Sequence, residues 1–471
     1  MFGVCLCCGE KNPDKVLQRT YGCLRLTFSG YKFKLELCEF SAKIKQNAKK
    51  TKQFQWDVKN DRSLELKIKT KEDNAYEVLR FAAFFTAMIV FNLAANFAHP
   101  VTPTVIQELQ LHDYMFGVAL AVMLITNFLL SPFWGKINNY ISSRLSLLIC
   151  CLGYGVAQVW FAYATTELMI ILARMFAGLF TGGIFVSFLT YIVNKSDPED
   201  QGKYLTYSAT IKSVASAFGY MIGGFLGEFS VRLAFLVQAG TLIAVAIAFF
   251  LICEPDSTAN LKDIPAKQLM KEANPFQAFI DSRNFMCMAF VFLFAINIFI
   301  NFGNTGFDQA FNYYLKAQLG LTSSYNGIIK AGVGFVSFIA NMSLCIWIIK
   351  KTNVKKSMVV LTAFCALASI GTLISVKIGI FILFSILVYA GYSVSVPVLQ
   401  NMVADQASPE QKNLVMGFFN ATQSLGSIAG SLTAGFIYSV NAKLPFACTF
   451  VIYSVGVAAA FGYLCYHKKE A

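Results

Sequence analysis

The chain has 471 residues, of which 56% are hydrophobic and 14% charged, and its formal net charge is +13. Soluble domains average roughly 25% charged residues, so this composition excludes an ordinary soluble domain and indicates an integral membrane protein. The three histidines, His99, His112 and His467, are far apart in the sequence and do not predict a zinc site. Most of the thirteen cysteines lie in or beside apolar runs. Cysteine behaves there as a small hydrophobic residue, so we expect reduced thiols.

Residues 1–76 differ from the rest of the chain. They contain 16 Lys and Arg against 9 Asp and Glu and include five cysteines, and they lack the apolar core of a signal peptide. The alternating stretch 64–70 is compatible with a strand or with no regular structure. We interpret 1–76 as a basic, poorly ordered cytoplasmic extension, or as sequence upstream of the true start, and assign it no function. Its cysteines are Cys5, Cys7, Cys8, Cys23 and Cys38.

Twelve apolar spans follow from residue 79 onward, and most exceed 20 residues, the length that a helix needs to cross a bilayer. Backbone groups in lipid must be satisfied within their own segment, so the spans are predicted to be helices. A polar break at 254–284 divides them six and six. We therefore expect an all-α membrane protein with bundles at 77–253 and 285–471 joined by a cytoplasmic linker. Spans 1 to 12 cover about 79–100, 113–134, 144–164, 167–193, 204–227, 231–253, 285–307, 324–349, 356–376, 378–404, 413–439 and 444–466.

The two halves resemble each other at a nearly constant offset. The segment LQLHDYMFG at 109–117 matches LGLTSSYNG at 319–327, an offset of 210. SDPEDQG at 196–202 matches ASPEQKN at 407–413, an offset of 211. Duplicated halves predict a substrate site between them, near the membrane midplane. At the offset of 211, four further pairs are identical: Ser213 with Ser424, Gly219 with Gly430, Gly224 with Gly435, and Phe225 with Phe436.

The loop charges predict the orientation. Fifteen basic residues lie in the C-terminal end and in the loops that would be on the same side as both termini. The loops on the other side carry four. Basic loops remain in the cytoplasm, so both termini are predicted to be cytoplasmic. We expect a multi-pass protein of the cell membrane.

Three motifs occur in the N-terminal half. The loop after span 2 reads GKINNYISSR at 135–144, span 4 reads LARMFAGLFTGG around Arg174 and Gly178, and span 5 ends in AFGYMIGGFLG. With the twelve spans, these motifs resemble the major facilitator superfamily, specifically its bacterial twelve-helix drug-efflux branch, over about 79–466. The resemblance implies two pseudo-symmetric six-helix bundles. It also implies a transporter rather than an enzyme, with no cofactor.

The resemblance also implies roles for the motif residues. In the family, the first motif locks the cytoplasmic side. Gly135 and Arg144 match it, but Asn139 stands where an aspartate is usual, so we expect a hydrogen-bonded version of the lock. The span 4 arginine is linked to proton transfer in antiporters of the family, which implies this role for Arg174. Tyr220 replaces the proline of the span 5 antiporter motif. The glycines expected to support gating or close packing are Gly178, Gly219, Gly223 and Gly224.

Charged residues inside the spans are the strongest candidates for coupling. An arginine at mid-membrane depth costs roughly 2.5–3.5 kcal/mol, and such residues usually mark a polar cavity or pathway. Arg174 is therefore a candidate, and Asp308 is a candidate protonatable carboxylate, although span 7 could instead place it at the headgroup level. Lys212 and Lys330 are expected to extend towards opposite membrane surfaces.

Polar side chains on the cavity-lining spans could bind substrate. Spans 1, 4, 7 and 10 line the central cavity in the family, and amides on these spans share helix faces at spacings of three and four. Alternatively, intramembrane amides join helices, at about 0.6 kcal/mol each. Phe85, Phe91, Phe176 and Phe185 could add an apolar lining. The candidate substrate residues are Asn92, Asn96, Asn297, Asn301, Tyr389, Tyr392, Gln400, Asn420 and Gln423.

The sequence thus predicts a secondary active transporter that works by alternating access. Export of small hydrophobic, drug-like compounds coupled to protons is the favoured hypothesis. The alternative is an importer or uniporter of a small polar solute such as a sugar, nucleoside or organic anion. The expected partners are a small-molecule substrate, a coupling proton and the bilayer, without nucleic acid, and the protein is expected to be a monomer. The sequence contains neither a Walker-type nor a GxGxxG loop, so neither ATP-driven transport nor a nucleotide cofactor is indicated.

Overall fold

The computed structural model describes residues 62–256, 273–408 and 411–470. Contact clustering divides the chain into Met1–Tyr76 and Glu77–Ala471, and the second unit contains all the predicted spans. The prediction for residues 1–61, with their five cysteines, lies outside the described residues. The described part is helical throughout and contains no strand. Residues 64–70 belong to the first helix, so the strand considered for them is wrong.

Fourteen α-helices make up the described residues. They are α1 (Arg62–Ala95), α2 (Thr102–Glu108), α3 (Met115–Ala162), α4 (Glu167–Lys195), α5 (Pro198–Phe229), α6 (Val231–Ile252), α7 (Gln277–Asp281), α8 (Met288–Ala317), α9 (Ser323–Ala340), α10 (Ile346–Lys351), α11 (Val354–Ile374), α12 (Ile378–Gln406), α13 (Lys412–Val440) and α14 (Leu444–Glu470). A 3₁₀ turn at Ser282–Asn284 follows α7, and a π-helical turn at Asn341–Cys345 joins α9 to α10.

Helix length and apolarity account for the membrane spans. Among the described residues, nine helical segments are long and apolar enough to cross a membrane, with α9 and α10 counted as one. The 48 residues of α3 would extend about 72 Å as a straight helix, more than twice the bilayer core. This helix bends at Ser142, where φ is 65°, and so contains spans 2 and 3.

The remaining two spans are α5 and α13, which have 32 and 29 residues. They have spanning length but are rich in serine, threonine and glycine, which lowers their hydropathy. They occupy equivalent places in the two halves, as spans 5 and 11. The all-α fold with twelve membrane crossings is therefore confirmed.

The duplication is visible in the backbone. Gln110 and Gly320, which are 210 residues apart, both adopt positive φ, at 52° and 65°. Each lies in the short connection that leads into the next helix, α3 or α9. An L-residue avoids this conformation whereas glycine does not, so Gln110 is held there by the connection itself. The two halves thus share an unusual turn as well as a sequence pattern.

Two close helix seams join the halves, α3 with α13 and α5 with α9. A Cβ added to Gly117 would lie 2.8 Å from Cα of Gly435, and one added to Gly224 would lie 3.2 Å from Cα of Gly327. These pairs are equivalent under the duplication, because Gly117 corresponds to Gly327 and Gly224 to Gly435. Small residues allow such close approach in membrane helices. Ser431 also donates to the carbonyl of Gly117 at 2.8 Å.

The bundle has two faces, and both seams lie towards the same one. We call the face that holds the Arg80–Glu254 ion pair, where α1, α4 and α6 meet, the terminal face. The other face, which we call the opposite face, is the one towards which both seams lie. Polar bonds also join the halves there. The backbone N–H of Ser324 donates to Glu228 at 3.1 Å, and the hydroxyl of Tyr313 donates to Asp113. The halves are thus closed together at the opposite face.

Between this face and the terminal face, side chains on α5, α12 and α13 are exposed. On α5, Tyr207 is 47% exposed and Lys212 is exposed. On α12 and α13, Gln400 and Asn420 are exposed. The structure therefore shows one conformation of a two-sided molecule, closed at the opposite face and accessible from the terminal face.

Candidate functional site

Arg174 lies inside the N-terminal half. It is 4% exposed and occupies the second turn of α4. Its guanidinium donates to the hydroxyl of Thr102 at 3.1 Å and lies 4.3 Å from the ring of Phe161. In the described part of the chain no carboxylate forms an ion pair with it. Its Nε is buried without a hydrogen-bond partner. The group is a buried cation without a compensating anion.

Close packing fixes the position of this cation. A Cβ added to Gly178, one turn after Arg174, would lie 2.2 Å from the carbonyl oxygen of Met123 on α3. No side chain larger than glycine fits there without moving α3 away. The glycine therefore lets α4 approach α3 at the level of the arginine.

Asp308 stands at the centre of a polar cluster in the C-terminal half. Its carboxylate accepts hydrogen bonds from the ammonium of Lys330 on α9 and from the hydroxyl of Tyr389 on α12, the latter at 3.0 Å. Asn312 and Gln309, on its own helix, each donate to the second oxygen at 3.3 Å. Four donors therefore surround the carboxyl group, and its ion-pair partner is the ammonium of Lys330.

Lys330 corrects one prediction from the sequence. We expected it to extend to a membrane surface, but its side chain is only 7% exposed and pairs with Asp308. The ammonium also lies 4.1 Å from the ring of Tyr389 and 5.3 Å from that of Phe311. A carboxylate within reach compensates the lysine inside the protein, so extension to the surface brings no advantage. Asp308 is likewise held inside the C-terminal half by its partners on α9 and α12.

A small polar cavity connects the two charged sites across the interface between the halves. It measures about 20 Å³, enough for roughly one water molecule. Arg174 and Thr102 line it from the N-terminal half, and Gln309 and Asn312 from the C-terminal half. Since Gln309 and Asn312 also donate to Asp308, the arginine is separated from the carboxylate by only one layer of polar side chains.

Tyr220 and His99 complete this connection. Tyr220 on α5 stacks on His99 with ring centroids 5.4 Å apart, and His99 lines the same cavity as Arg174. From the other half, the ammonium of Lys330 lies 5.7 Å from the ring of Tyr220. The residue that replaces the family's proline thus contacts both halves.

Sequence reasoning missed four of these residues: His99, Tyr220, Gln309 and Asn312. The spacing of four between Asp308 and Asn312 places them on one helix face and could have indicated the second of them as a partner. The other contacts depend on how α5 rotates against α1 and α9, which no local pattern shows.

Several of the predicted cavity residues form hydrogen bonds within the C-terminal half. Asn297 and Asn301 on α8 are fully buried. Asn297 donates to the carbonyl of Phe419 at 2.7 Å and to Thr422 at 2.9 Å, both on α13. Asn301 accepts from Tyr392 at 2.8 Å. In this conformation the two asparagines join α8, α12 and α13.

The remaining predicted polar residues divide by accessibility. Asn92 is buried and donates to its own helix at 2.8 Å. Asn96 is half-buried and donates to Ser216 on α5 at 3.0 Å. Gln423 is half-buried. Gln400 and Asn420 are exposed. Among the phenylalanines, Phe91 is buried, whereas Phe85, Phe176 and Phe185 are half-buried.

The span 5 glycines make two kinds of contact. A Cβ on Gly219 would lie 2.3 Å from the carbonyl oxygen of Leu93, and one on Gly223 would lie 2.1 Å from that of Phe97, so both pack α5 on the N-terminal half's own first span. Gly224 instead faces the other half, where a Cβ would lie 2.5 Å from the carbonyl oxygen of Ser323.

The loop motif at 135–144 differs from the expectation. Asn139 is exposed, whereas the neighbouring Asn138 is fully buried and donates to Ser187 on α4 at 3.1 Å. The hydrogen bond assigned to Asn139 is therefore made by the adjacent residue. The helical register continues through this loop and turns position 138 inward. At Gly135 a Cβ would meet Val186 at an ordinary 3.6 Å.

A carboxylate nevertheless holds this loop. Asp256, just after α6, accepts from the backbone N–H and the hydroxyl of Ser143 at 2.6 and 2.7 Å. These bonds support the left-handed Ser142 beside them. The guanidinium of Arg144 lies 4.0 Å from the ring of Phe250. The anion that holds this loop thus comes from the end of α6.

A second ion cluster lies at the terminal face. Glu254 pairs with Arg80, and with Lys195 at 3.5 Å. Burial alone would raise the pKa of the Glu254 carboxyl, but hydrogen bonding and attraction to these two cations bring the pKa below its usual value.

Two duplicated bundles that enclose buried charges and part at one face define a membrane transporter. The chain belongs to the Major Facilitator Superfamily, whose family model matches residues 81–379 and 302–470. This confirms the resemblance seen in the sequence. The protein is therefore a multi-pass membrane transporter rather than an enzyme.

Curated relatives include drug-resistance proteins. The chain is 24% identical over 378 residues to Multidrug resistance protein 1 of Bacillus subtilis (strain 168), covering 79% of this chain and 93% of that protein. It is 22% identical over 388 residues to Quinolone resistance protein NorA of Staphylococcus aureus, covering 81% and 94%.

Solved structures show the same fold. A bacterial homolog of the human lysosomal transporter Spinster, in an inward-facing, unoccupied conformation, aligns with a TM-score of 0.67 and 13% identity, over 82% of this chain and 97% of that chain. The nucleoside transporter NupG aligns with a TM-score of 0.63 and 12% identity, over 82% and 99%.

Proposed function

We propose that this protein exports small hydrophobic, drug-like compounds in exchange for protons, across the cell membrane and by alternating access. In this proposal the bundles at 77–253 and 285–471 move about the central site, and the terminal face lies in the cytoplasm with both termini and the linker 254–284. The relatives named for multidrug and quinolone resistance support the export of drugs. The observation that supports proton coupling most directly is the position of the unpaired Arg174. Only the side chains of Gln309 and Asn312 separate it from the Asp308–Lys330 pair.

The observed conformation corresponds to the state that accepts substrate from the terminal face. In this state Asp308 accepts hydrogen bonds from Lys330 and Tyr389 and compensates the charge of Lys330. Lys330 also faces the ring of Tyr220, so the ionised cluster supports the closed opposite face. A proton released towards the terminal face leaves the protein in this state.

Protonation of Asp308 changes the charge balance of the central site. A neutral Asp308 leaves the ammonium of Lys330 without compensation, while Arg174 lies across the same interface as a second cation. Repulsion between cations is stronger in a weakly polar interior than in water. This repulsion changes the balance between the two facing states, and exchange for substrate requires that the proton is taken up from the opposite side and released at the terminal face. A proton that enters through the membrane field supplies up to roughly 2.3 kcal/mol per 100 mV.

The experiment compares Arg174→Ala with the wild type in everted vesicles. Proton flux is recorded when lipophilic cations, tetracyclines or sugars are added, and the amount of inserted protein is measured in parallel. We expect Arg174→Ala to insert normally and to lose proton-coupled transport. Arg232→Ala is the matched control, because that arginine also lies 4.9 Å from an aromatic ring but stands at the opposite face, away from the cavity. Undiminished coupled transport in Arg174→Ala would refute the assignment.

A second candidate is an importer or uniporter of a small polar solute. The exposed amides Gln400 and Asn420, together with the structural likeness to a nucleoside transporter, favour it. In the same vesicles, a sugar or nucleoside would then move without opposing proton flux, or together with protons. That outcome would replace export with uptake.

A further inference from the structure

Lys212 is a cation that neither the proton cluster nor the helix seams use. It lies near the middle of α5, at least about 20 Å of helix from either end. We expected its side chain to extend towards a membrane surface, but a lysine side chain is too short to cover that distance. Its ammonium instead lies 4.4 Å from the ring of Phe185 on α4.

The neighbours of Lys212 show that it faces the interior of the N-terminal half. Phe185 makes an edge contact with the fully buried Phe91 of α1, with ring centroids 6.0 Å apart. One turn beyond Lys212, Ser216 accepts a hydrogen bond from Asn96, which directly follows α1. Lys212 is nevertheless exposed. Lys212 thus lies on the side of α5 that faces α1 and α4, and its side chain remains accessible there.

This lysine has no anionic partner. In the described ranges, no carboxylate forms an ion pair with Lys212. Lys330, the other lysine within the spans, is compensated by Asp308. Arg174 is buried in the closed part of the interface. Lys212 is therefore the accessible and uncompensated cation among these three.

The duplication shows that the charge is not part of the shared scaffold. At the offset of 211, Lys212 corresponds to Gln423, which carries a neutral amide. The scaffold thus accepts a neutral polar residue at this position. A lysine without a partner at mid-membrane depth is costly, and such residues generally serve a substrate or ion pathway.

The surroundings indicate which ligand would compensate this charge. Ser208 and Ser216 lie one turn before and one turn after Lys212, so hydroxyl groups share its helix face. Phe185, 4.4 Å from the ammonium, provides an aromatic wall. An ammonium beside hydroxyl groups suits an anion, and flat apolar walls suit an aromatic ring.

We propose that Lys212 binds the negatively charged group of an amphipathic aromatic anion, such as an aryl carboxylate, whose ring packs against Phe185. This refines the proposed function and rests on it, because it assigns the exported compounds to the class of lipophilic organic anions. Binding supplies the missing compensation for Lys212, and substrate release at the opposite face exposes the lysine again.

The test uses three ligands with one ring system and different charges: 2-naphthoate, 2-naphthamide and 2-naphthylmethylammonium. Their dissociation constants are measured with the full-length protein in nanodiscs. We expect the wild type to bind 2-naphthoate at least about tenfold more tightly than the amide, as a charge-assisted contact implies. Lys212→Gln should remove this preference and leave the amide affinity within about twofold, while Lys212→Arg should retain most of it.

Lys203→Gln is the matched control, since Lys203 lies on the same helix but is exposed and pairs with Asp200 at 3.5 Å. It should leave all three affinities unchanged. The proposal is overturned if Lys212→Gln leaves the naphthoate-to-amide ratio unchanged or weakens all three ligands equally. It is also overturned if the wild type binds the ammonium compound best, or none of the three.

Proton flux separates this inference from the proposed function. If lipophilic cations drive proton exchange equally in the wild type and in Lys212→Gln, and naphthoate does not bind, export stands and the anion site falls. If naphthoate binding depends on Lys212 but no solute exchanges with protons, the anion site stands and the proposed coupling falls.

Discussion

Gly224→Ala should shift the protein away from the conformation observed here. The added Cβ would lie 2.5 Å from the carbonyl oxygen of Ser323, a backbone atom of the other half. Backbone cannot rotate aside, so the clash is relieved mainly by separating α5 from α9. Separation of these helices is the movement that opens the opposite face.

The size of the effect follows from the cost of overpacking. Inserting a methyl group into a filled contact typically costs about 1–3 kcal/mol. Because this cost applies only while the opposite face is closed, it changes the ratio of the two conformations by about 5- to 150-fold. The free energy of unfolding should change little, since the open conformation remains available.

Three further glycines provide matched comparisons. Gly435→Ala meets the carbonyl oxygen of Tyr114 at 2.6 Å across the equivalent seam and should shift the population in the same direction. Gly219→Ala meets Leu93 within one half, so it should destabilise the fold without changing the conformational ratio. Gly417→Ala meets nothing within 4 Å and should be neutral.

The assay is a distance distribution between spin labels at Leu168 and Val376, which lie at the opposite face in different halves and are 64% and 93% exposed. The labels are attached through non-canonical residues, because the chain has thirteen cysteines. Gly224→Ala should enrich the longer distance. The reasoning fails if the distribution matches that of Gly417→Ala, or if Gly219→Ala enriches the long distance equally.

Two further predictions concern charged groups. Asp308→Asn should lower the free energy of unfolding by about 3–5 kcal/mol, as for other buried pairs that lose one partner. Combining it with Lys330→Met should recover much of this loss. Thermal unfolding of the wild type, the two single variants and the double variant checks the prediction, and additive effects would contradict the pairing. Hydrogen bonds from Thr322 and Ser324, with attraction to Lys316, hold the pKa of Glu228 below its usual value of about 4.5 while the opposite face is closed. Protonation removes these bonds, so the closed conformation is favoured above that pH and loses its advantage as the pH falls through the lowered pKa. Spin-label distances recorded between pH 3 and 7 should show this change in the wild type and a smaller change in Glu228→Gln. Identical pH profiles for the two proteins would exclude Glu228 as the group responsible.

The sequence was sufficient to predict the helices and their duplication. Continuous apolar length fixes a membrane helix almost by itself, because no other structure satisfies the backbone in lipid. The fixed offset then related Gly224 to Gly435 before any contact between them and the other half was known. Spans 5 and 11, which correspond to α5 and α13, were predicted from their apolar length like the other ten, although their hydropathy in the structure is lower.

Side-chain partners were predicted less well, since they depend on helix rotation and on distances between spans. Lys330 and Asp308 lie 22 residues apart on different helices, and nothing local indicates that they pair. Asn138 and Asn139 are adjacent, and a helix turns by about 100° per residue, so a small error in phase exchanges a buried amide for an exposed one. The stretch 64–70 was misread because short alternation in a charged segment does not exclude a helix.

The two glycine seams have a consequence for the speed of the transport cycle. They join the halves mainly through backbone surfaces, with few interlocking side chains to withdraw or repack. Separating such surfaces gives up many weak dispersion contacts, each worth only about 0.1–0.2 kcal/mol, so resistance falls gradually as the helices part. The kinetic barrier to switching faces would then depend chiefly on a few polar groups, including Glu228 and Asp113. Turnover could therefore be adjusted by single substitutions at the rim of the protein, without redesign of its helices.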